Sequence, residues 1–121
     1  MSSPVFLDTP QFRPGEVFRL SDATEPRKEA WFNQALVRSN DSMLRVARLH
    51  GEFHHHSHDT DELFFVLSGA MQIDIDGTMH DLGAGSGVCV PAGVTHRTRA
   101  DAPCTVLLVA AAEARMAGDP R

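Results

Sequence analysis

The chain has one lysine, two cysteines and no apolar run near the roughly 20 residues that a bilayer-crossing helix needs. Each shortage removes a class of function. Without an apolar run, no membrane role is expected. With ten arginines scattered from Arg13 to Arg121, one Lys and a net charge of -5, there is no basic cluster to neutralise phosphates. A nucleic-acid partner is therefore not expected. Met1, Ser2, Ser3 and Pro4 lack the basic start and apolar core of a signal peptide, which makes the cytoplasm the expected compartment. Cys89 and Cys104 have no neighbouring Cys or His at zinc-finger spacing. In a reducing compartment both are expected as free, buried thiols. The glycine-rich stretch from Gly83 to Gly87 has no lysine after it, so it is not a phosphate loop.

What is present is apolar residue in ordinary amount, 42% of 121 residues, enough for one domain and one core. Residues 1–20 alternate Pro4, Pro10 and Pro14 with Phe6, Phe12 and Phe18. Proline fixes φ and removes a donor, so this stretch reads as an extended arm. It packs either on its own domain or on a partner subunit. Residues 24–37 read as a helix, with Thr24 as cap, Pro26 in the first turn and Ala30, Trp31, Ala35 and Leu36 on one face. Trp31 is expected to pack in the core.

From Met43 onward the pattern is short apolar or alternating runs broken by glycine-bearing turns. Met71, Ile73 and Ile75 alternate with polar residues, and Asp76-Gly77 is a hairpin signal. Thr78 to Leu82 would return, Val88 to Val90 stops at Pro91, and 95–100 and 104–110 complete about eight strands. Regular spacing of short strands points to an antiparallel sandwich or barrel. The tail, Glu113 to Arg121, is polar and reads as lightly packed.

The chemistry lies in the histidines. His56 and His58 are two apart and share a strand face. Glu62 follows four residues later and can join that face through a bulge or bend. His96 follows a tight Pro-Ala-Gly turn and must arrive from another strand. Three imidazoles and a carboxylate suit one divalent transition metal: Fe, Mn, Zn, Ni or Co. Four protein ligands on a six-coordinate ion leave positions open to a small molecule. His54 shares the His56 face and is the candidate catalytic acid or base. It is also the rival ligand, through the alternative pair His54 and His56. Asp59 and Asp61 read as solvated loop acids. Arg45 and Arg48 precede the cluster; either can meet an anionic substrate or stand solvated on a sheet face.

These segments resemble the two sequence boxes of the cupin superfamily. The first box matches as His56-x-His58, three residues, Glu62, six residues, Gly69. The second matches as Gly85, five residues, Pro91-x-Gly93, two residues, His96. Gly51 stands one residue nearer the first His than is usual, and Ala100 occupies the place of a frequent Asn. Neither position carries a ligand. The resemblance covers about residues 43–110 and is closest to small single-domain cupins similar to mannose-6-phosphate isomerase. It implies an all-β double-stranded β-helix, a jelly-roll barrel with a short N-terminal arm and helix. The implied division is 1–42 as arm and helix, 43–110 as barrel and 111–121 as tail. Phe64, Val66, Met71, Ile73, Ile75 and Thr98 would then face inward. The resemblance also implies His56, His58, Glu62 and His96 as the metal ligands and a homodimer as the assembly. Three functions compete: a metal-dependent enzyme on a small molecule, of dioxygenase or isomerase/lyase type; a non-catalytic module that binds or senses a small ligand; and a structural metal tying strands together.

Overall fold

In the computed structural model, which describes residues 4–120 with side chains through Gly118, the jelly-roll expectation is met. Met1 to Ser3 and Arg121 lie outside the described residues. There are ten strands and one short helix among the described residues. In chain order they are β1 (Val5–Leu7), α1 (Ser21–Thr24), β2 (Phe32–Ser39), β3 (Ser42–Glu52), β4 (His56–Ser57), β5 (Glu62–Ser68), β6 (Ala70–Ile75), β7 (Thr78–Gly83), β8 (Gly87–Val90), β9 (His96–Ala111) and β10 (Asp119–Pro120).

The long strand β9 organises the barrel. It pairs antiparallel with β3, β4, β5 and β6, so it serves both walls. The two strands expected at 95–100 and 104–110 are thus one. Residues 101–103 are unpaired with β3 between its two stretches, where the register shifts between Leu49 and Gly51. The β6–β7 hairpin closes on Asp76 and Gly77, at φ 50° and 86°, the left-handed pair that a two-residue hairpin turn needs.

The helix expected over 24–37 does not form. A four-residue helix ends at Thr24, and Phe32–Ser39 is a strand paired with β3. The strand is buried on both faces, which produced the misleading period. Trp31 faces the barrel core, while Phe32 and Leu36 lie under the arm, and a bulge falls between Ala35 and Val37. Two-sided burial plus a bulge imitates i, i+4 spacing.

Two apolar clusters result. One fills the barrel with Phe64, Val66, Met71, Ile73 and their neighbours, as expected for the inward positions. The other lies outside the sheet, where Phe12 and Phe18 stack at 4.8 Å over Phe32, Leu36 and Val46. The arm therefore packs on its own domain, and its backbone is tied down by Gln11 and Phe12 N–H groups donating to the Ala35 and Leu36 carbonyls. Both cysteines are free, but only Cys104 is buried; Cys89 sits on the outward face of β8.

Candidate metal centre

The two boxes meet because β4 and the start of β9 are neighbours. His56 pairs directly with His96 across that ladder. His58 follows two residues after His56, and Glu62 opens β5. The loops that carry these side chains are fastened to one another. Gly93 N–H donates to the His58 carbonyl at 2.8 Å, and Ala92 N–H donates to Asp61 Oδ1 at 2.9 Å. Asp61 is thus exposed yet employed, not merely solvated. Gly93, at φ 79°, gives the turn its shape.

His56, His58, Glu62 and His96 are all buried, and one potential ligand atom from each lies within 4.8 Å of the others. Glu62 Oε1 stands 3.1 Å from His58 Nε2 and 3.2 Å from His96 Nε2. The rings of His56 and His96 are 4.3 Å apart, centre to centre.

Tautomers are set from behind. His56 Nδ1 lies 2.9 Å from the His54 carbonyl, and His96 Nδ1 lies 3.0 Å from the Val94 carbonyl. A carbonyl only accepts, so each Nδ1 carries its proton and each Nε2 is left to present a lone pair. Three nitrogens, an oxygen and backbone-held imidazoles fit a divalent transition metal on donor chemistry alone.

The electrostatics agree. Burial lowers the His56 pKa to about 4, aided by the neighbouring His96 and His58 and opposed by the His54 carbonyl and Glu62. The ring is neutral near pH 7, as a ligand must be. Burial pushes the Glu62 carboxyl up, but His58 and His96, which hydrogen-bond to it through Nε2 when doubly protonated in the metal-free site, outweigh burial by those bonds and their charge and hold it at about 2.

Beside the cluster is a narrow pocket of about 400 Å³, its open mouth included, with His56 and Glu62 in its wall. Phe6, Trp31, Leu49, Phe53, Phe64 and Met116 make it apolar. Asn33 and Thr98 are its polar neutral groups, and among the described residues no Lys or Arg lines it.

Several expected residues stand elsewhere. His54 is exposed and does not line this pocket; its Nε2 lies 2.9 Å from the Ala117 carbonyl. His55 points to the other side, toward Asp74 at 3.5 Å, as strand alternation predicts. Arg45 is buried, neither solvated nor reaching the cluster: it holds Asn33 Oδ1 at 2.5 Å and Asp8 at 2.7 Å. Arg48 donates to the Glu29 carbonyl at 3.0 Å and lies over the Phe32 ring.

The tail is packed more closely than its polarity suggests. Met116 is buried in the pocket wall, β10 pairs with β4, and Gly118 lies against His56. A Cβ on Gly118 would come within 2.3 Å of His56 Cδ2, so only glycine permits this approach. The sequence signals were Met116 and Gly118, an apolar residue and a turn residue inside a polar stretch.

Residues 45–110 match the family model for the cupin domain. This chain belongs to the cupin family. It is 40% identical over 74 residues to the uncharacterised protein YdbB of Bacillus subtilis (strain 168), covering 60% of this chain and 66% of that relative. The aligned stretch is thus just under two thirds of that protein's length. Among solved structures, a cupin-2 domain containing protein from Shewanella frigidimarina is 29% identical with a TM-score of 0.74, covering 78% of this chain and 94% of that one. A salicylate 1,2-dioxygenase from Pseudoaminobacter salicylatoxidans shares the fold, at 20% identity and a TM-score of 0.57 over 60% of this chain and 20% of that one. No described helix of this cupin is long and apolar enough to cross a membrane.

Proposed function

We propose that this cupin is a metal-dependent enzyme acting on a small molecule, with His56, His58, Glu62 and His96 as the ligands of one divalent ion. The observation that carries this reading is the set of four buried donors, within 4.8 Å of one another, two of which, His56 and Glu62, line an apolar pocket. A merely structural ion would want a closed shell and no pocket. When bound, such an ion polarises a carbonyl or binds and activates a small oxygen ligand. The protein's own part is to keep the imidazoles neutral and aimed, to exclude bulk water with Phe53, Phe64 and Met116, and to orient the substrate.

Two reaction types remain within this reading: oxygenation with Fe(II), and isomerase or lyase chemistry on a carbonyl. The salicylate dioxygenase shares the barrel, which is compatible with the first and at that identity carries nothing more. The relationship to mannose-6-phosphate isomerase-like cupins draws no support as an activity, since among the described residues the pocket has no Lys or Arg to meet a phosphate. A second reading is a binding or sensing module. It is favoured by one feature: the titratable residues of the pocket wall, His56 and Glu62, both belong to the proposed ligand set, leaving no separate acid or base there among the described residues.

A homodimer belongs to the same proposal. Leu63 and Phe65, 38% and 40% exposed, form an apolar pair on the outward face of β5 that a second copy would cover. A monomer in light scattering at high concentration removes that part.

The test is metal analysis of protein purified without added metal and without a metal-affinity column, followed by dioxygen-uptake and carbonyl-substrate screens. About one equivalent of transition metal per chain, lost in His96→Ala, is expected. Retention of that metal by His96→Ala overturns the ligand set. Stoichiometric metal with no turnover and tight ligand binding favours the sensing module.

A further inference from the structure

Asn33 sits on β2, remote in sequence from both boxes, and lines the pocket beside Glu62 and His56. It is 9% exposed. Its amide cannot turn over. Arg45 Nε donates to Asn33 Oδ1 at 2.5 Å, and a guanidinium only donates, so the oxygen must face Arg45. Arg45 is itself clamped by Asp8 Oδ1 at 2.7 Å and the Leu7 carbonyl at 3.3 Å. The amide nitrogen is thereby left on the other side. Among the described residues no acceptor meets it, and it is not sealed from solvent. A buried arginine, tied to the N-terminal arm, thus fixes one hydrogen-bond donor in an otherwise apolar wall.

The geometry points to the substrate class, resting on the metal reading above: a small molecule with an apolar body of about one ring, one oxygen reaching the ion, and one acceptor atom read by Asn33 Nδ2. Phosphorylated sugars and polyols are rejected. A phosphate entering this pocket would lose its hydration and find no Lys or Arg among the described residues in exchange. A polyol would lose several water hydrogen bonds and regain few, with Asn33 and Thr98 as the neutral polar partners. A planar ring instead meets Phe6, Trp31, Phe53 and Phe64.

The test uses the full chain loaded with zinc, and isothermal calorimetry with two probes. Maltol is a single-ring hydroxypyranone with oxygens for the ion and a further acceptor. Glucose 6-phosphate is the anionic polyol. Zinc retention is checked in each sample after titration. Maltol binding is expected, with no saturable heat from glucose 6-phosphate. Asn33→Asp keeps an acceptor for Arg45 and removes the donor. It is expected to weaken maltol at least tenfold while zinc affinity stays within threefold. Asn33→Ser, shorter and still able to accept from a donor, is the second variant should the first fail to fold. If zinc binds and maltol affinity is unchanged in these variants, or glucose 6-phosphate binds as well as maltol, the substrate assignment is overturned with the metal reading intact. If the parent chain does not bind zinc at all, both are overturned.

Discussion

Removing the His96 imidazole separates the metal reading from a merely well-packed histidine core. His96 is 1% exposed, faces Glu62 at 3.2 Å and lies edge-on to Phe64. In the metal-free protein, His96→Ala leaves a cavity and takes one of two partners from the Glu62 carboxylate, a cost of about 2–4 kcal/mol. That cost appears whether or not an ion ever binds. The discriminating quantity is the stabilisation that metal adds. At a free-ion concentration one hundred times Kd, a protein that binds only when folded gains about 2.7 kcal/mol. Loss of partners behind a ligand typically weakens metal about 10–100-fold, so loss of a ligand is assigned at least about 100-fold. At the same ion concentration the variant then sits near its own Kd and gains only about 0.4 kcal/mol. For a domain of this length, 1 kcal/mol moves Tm by roughly 3–5 °C, so the parent is expected to gain about 10 °C and the variant about 2 °C. The assay is thermal unfolding with and without zinc or cobalt, at fixed protein concentration. An equal metal-induced rise in both proteins refutes the assignment of His96 as a ligand, however destabilised the variant is.

Three further outcomes follow from the same geometry. His54→Ala keeps the backbone carbonyl that holds His56 and loses only an exposed side chain's contact with Ala117, so metal affinity in a competition titration should stay within threefold. A hundredfold loss would instead make His54 a ligand. Gly118→Ala puts a Cβ 2.3 Å from His56 Cδ2 at φ 68°, which should lift the tail and cost about 1–3 kcal/mol in urea unfolding, with faster proteolysis after Arg115. Acid should destabilise the metal-free fold. His56 is lowered from 6.5 to about 4, so between those values the unfolded chain takes a proton that the folded one refuses. Glu62 is lowered from 4.5 to about 2, which continues the loss over that lower range. Each such group removes about 1.4 kcal/mol per pH unit within its window. Urea midpoints from pH 7.5 down to 4.5 should fall in the parent and fall less in His56→Gln; parallel curves would exclude His56 as the source.

Strands β5 and β6 were legible because each buries one face and so alternates. Met71 and Ile73 point inward while Gln72 and Asp74 do not, and Asp76-Gly77 names its own turn. The donor set was legible because ligand chemistry restricts residue type. Strand β2 was not, since burial on both faces erases alternation and a bulge after Ala35 restores a false helical period. Arg45 and Asn33 were not, because a polar residue on a strand looks the same whether it is solvated or paired out of sight. That pairing spans 12 positions, and its anchor Asp8 lies a further 25 before Asn33, beyond any local pattern.

The cluster also explains why its support calls for no particular residue type. His56 and His96 are each oriented by the carbonyl of the residue two before them, His54 and Val94. One of those residues is polar and exposed and the other is apolar and half-buried, yet they perform the same task. A carbonyl is common to every residue, so what must be preserved is the backbone path into each imidazole. For His96 that path is the Pro91–Gly93 turn, held by Gly93 N–H on the His58 carbonyl and Ala92 N–H on Asp61. For His56 it is the two-residue strand pressed between β9 and the tail. The spacing of Pro91, Gly93 and His96 is therefore the visible trace of a hydrogen bond made by atoms that no residue name records. It follows that insertions between Gly93 and His96 should abolish metal binding, while Val94→Ala, which keeps the carbonyl, should leave it in place.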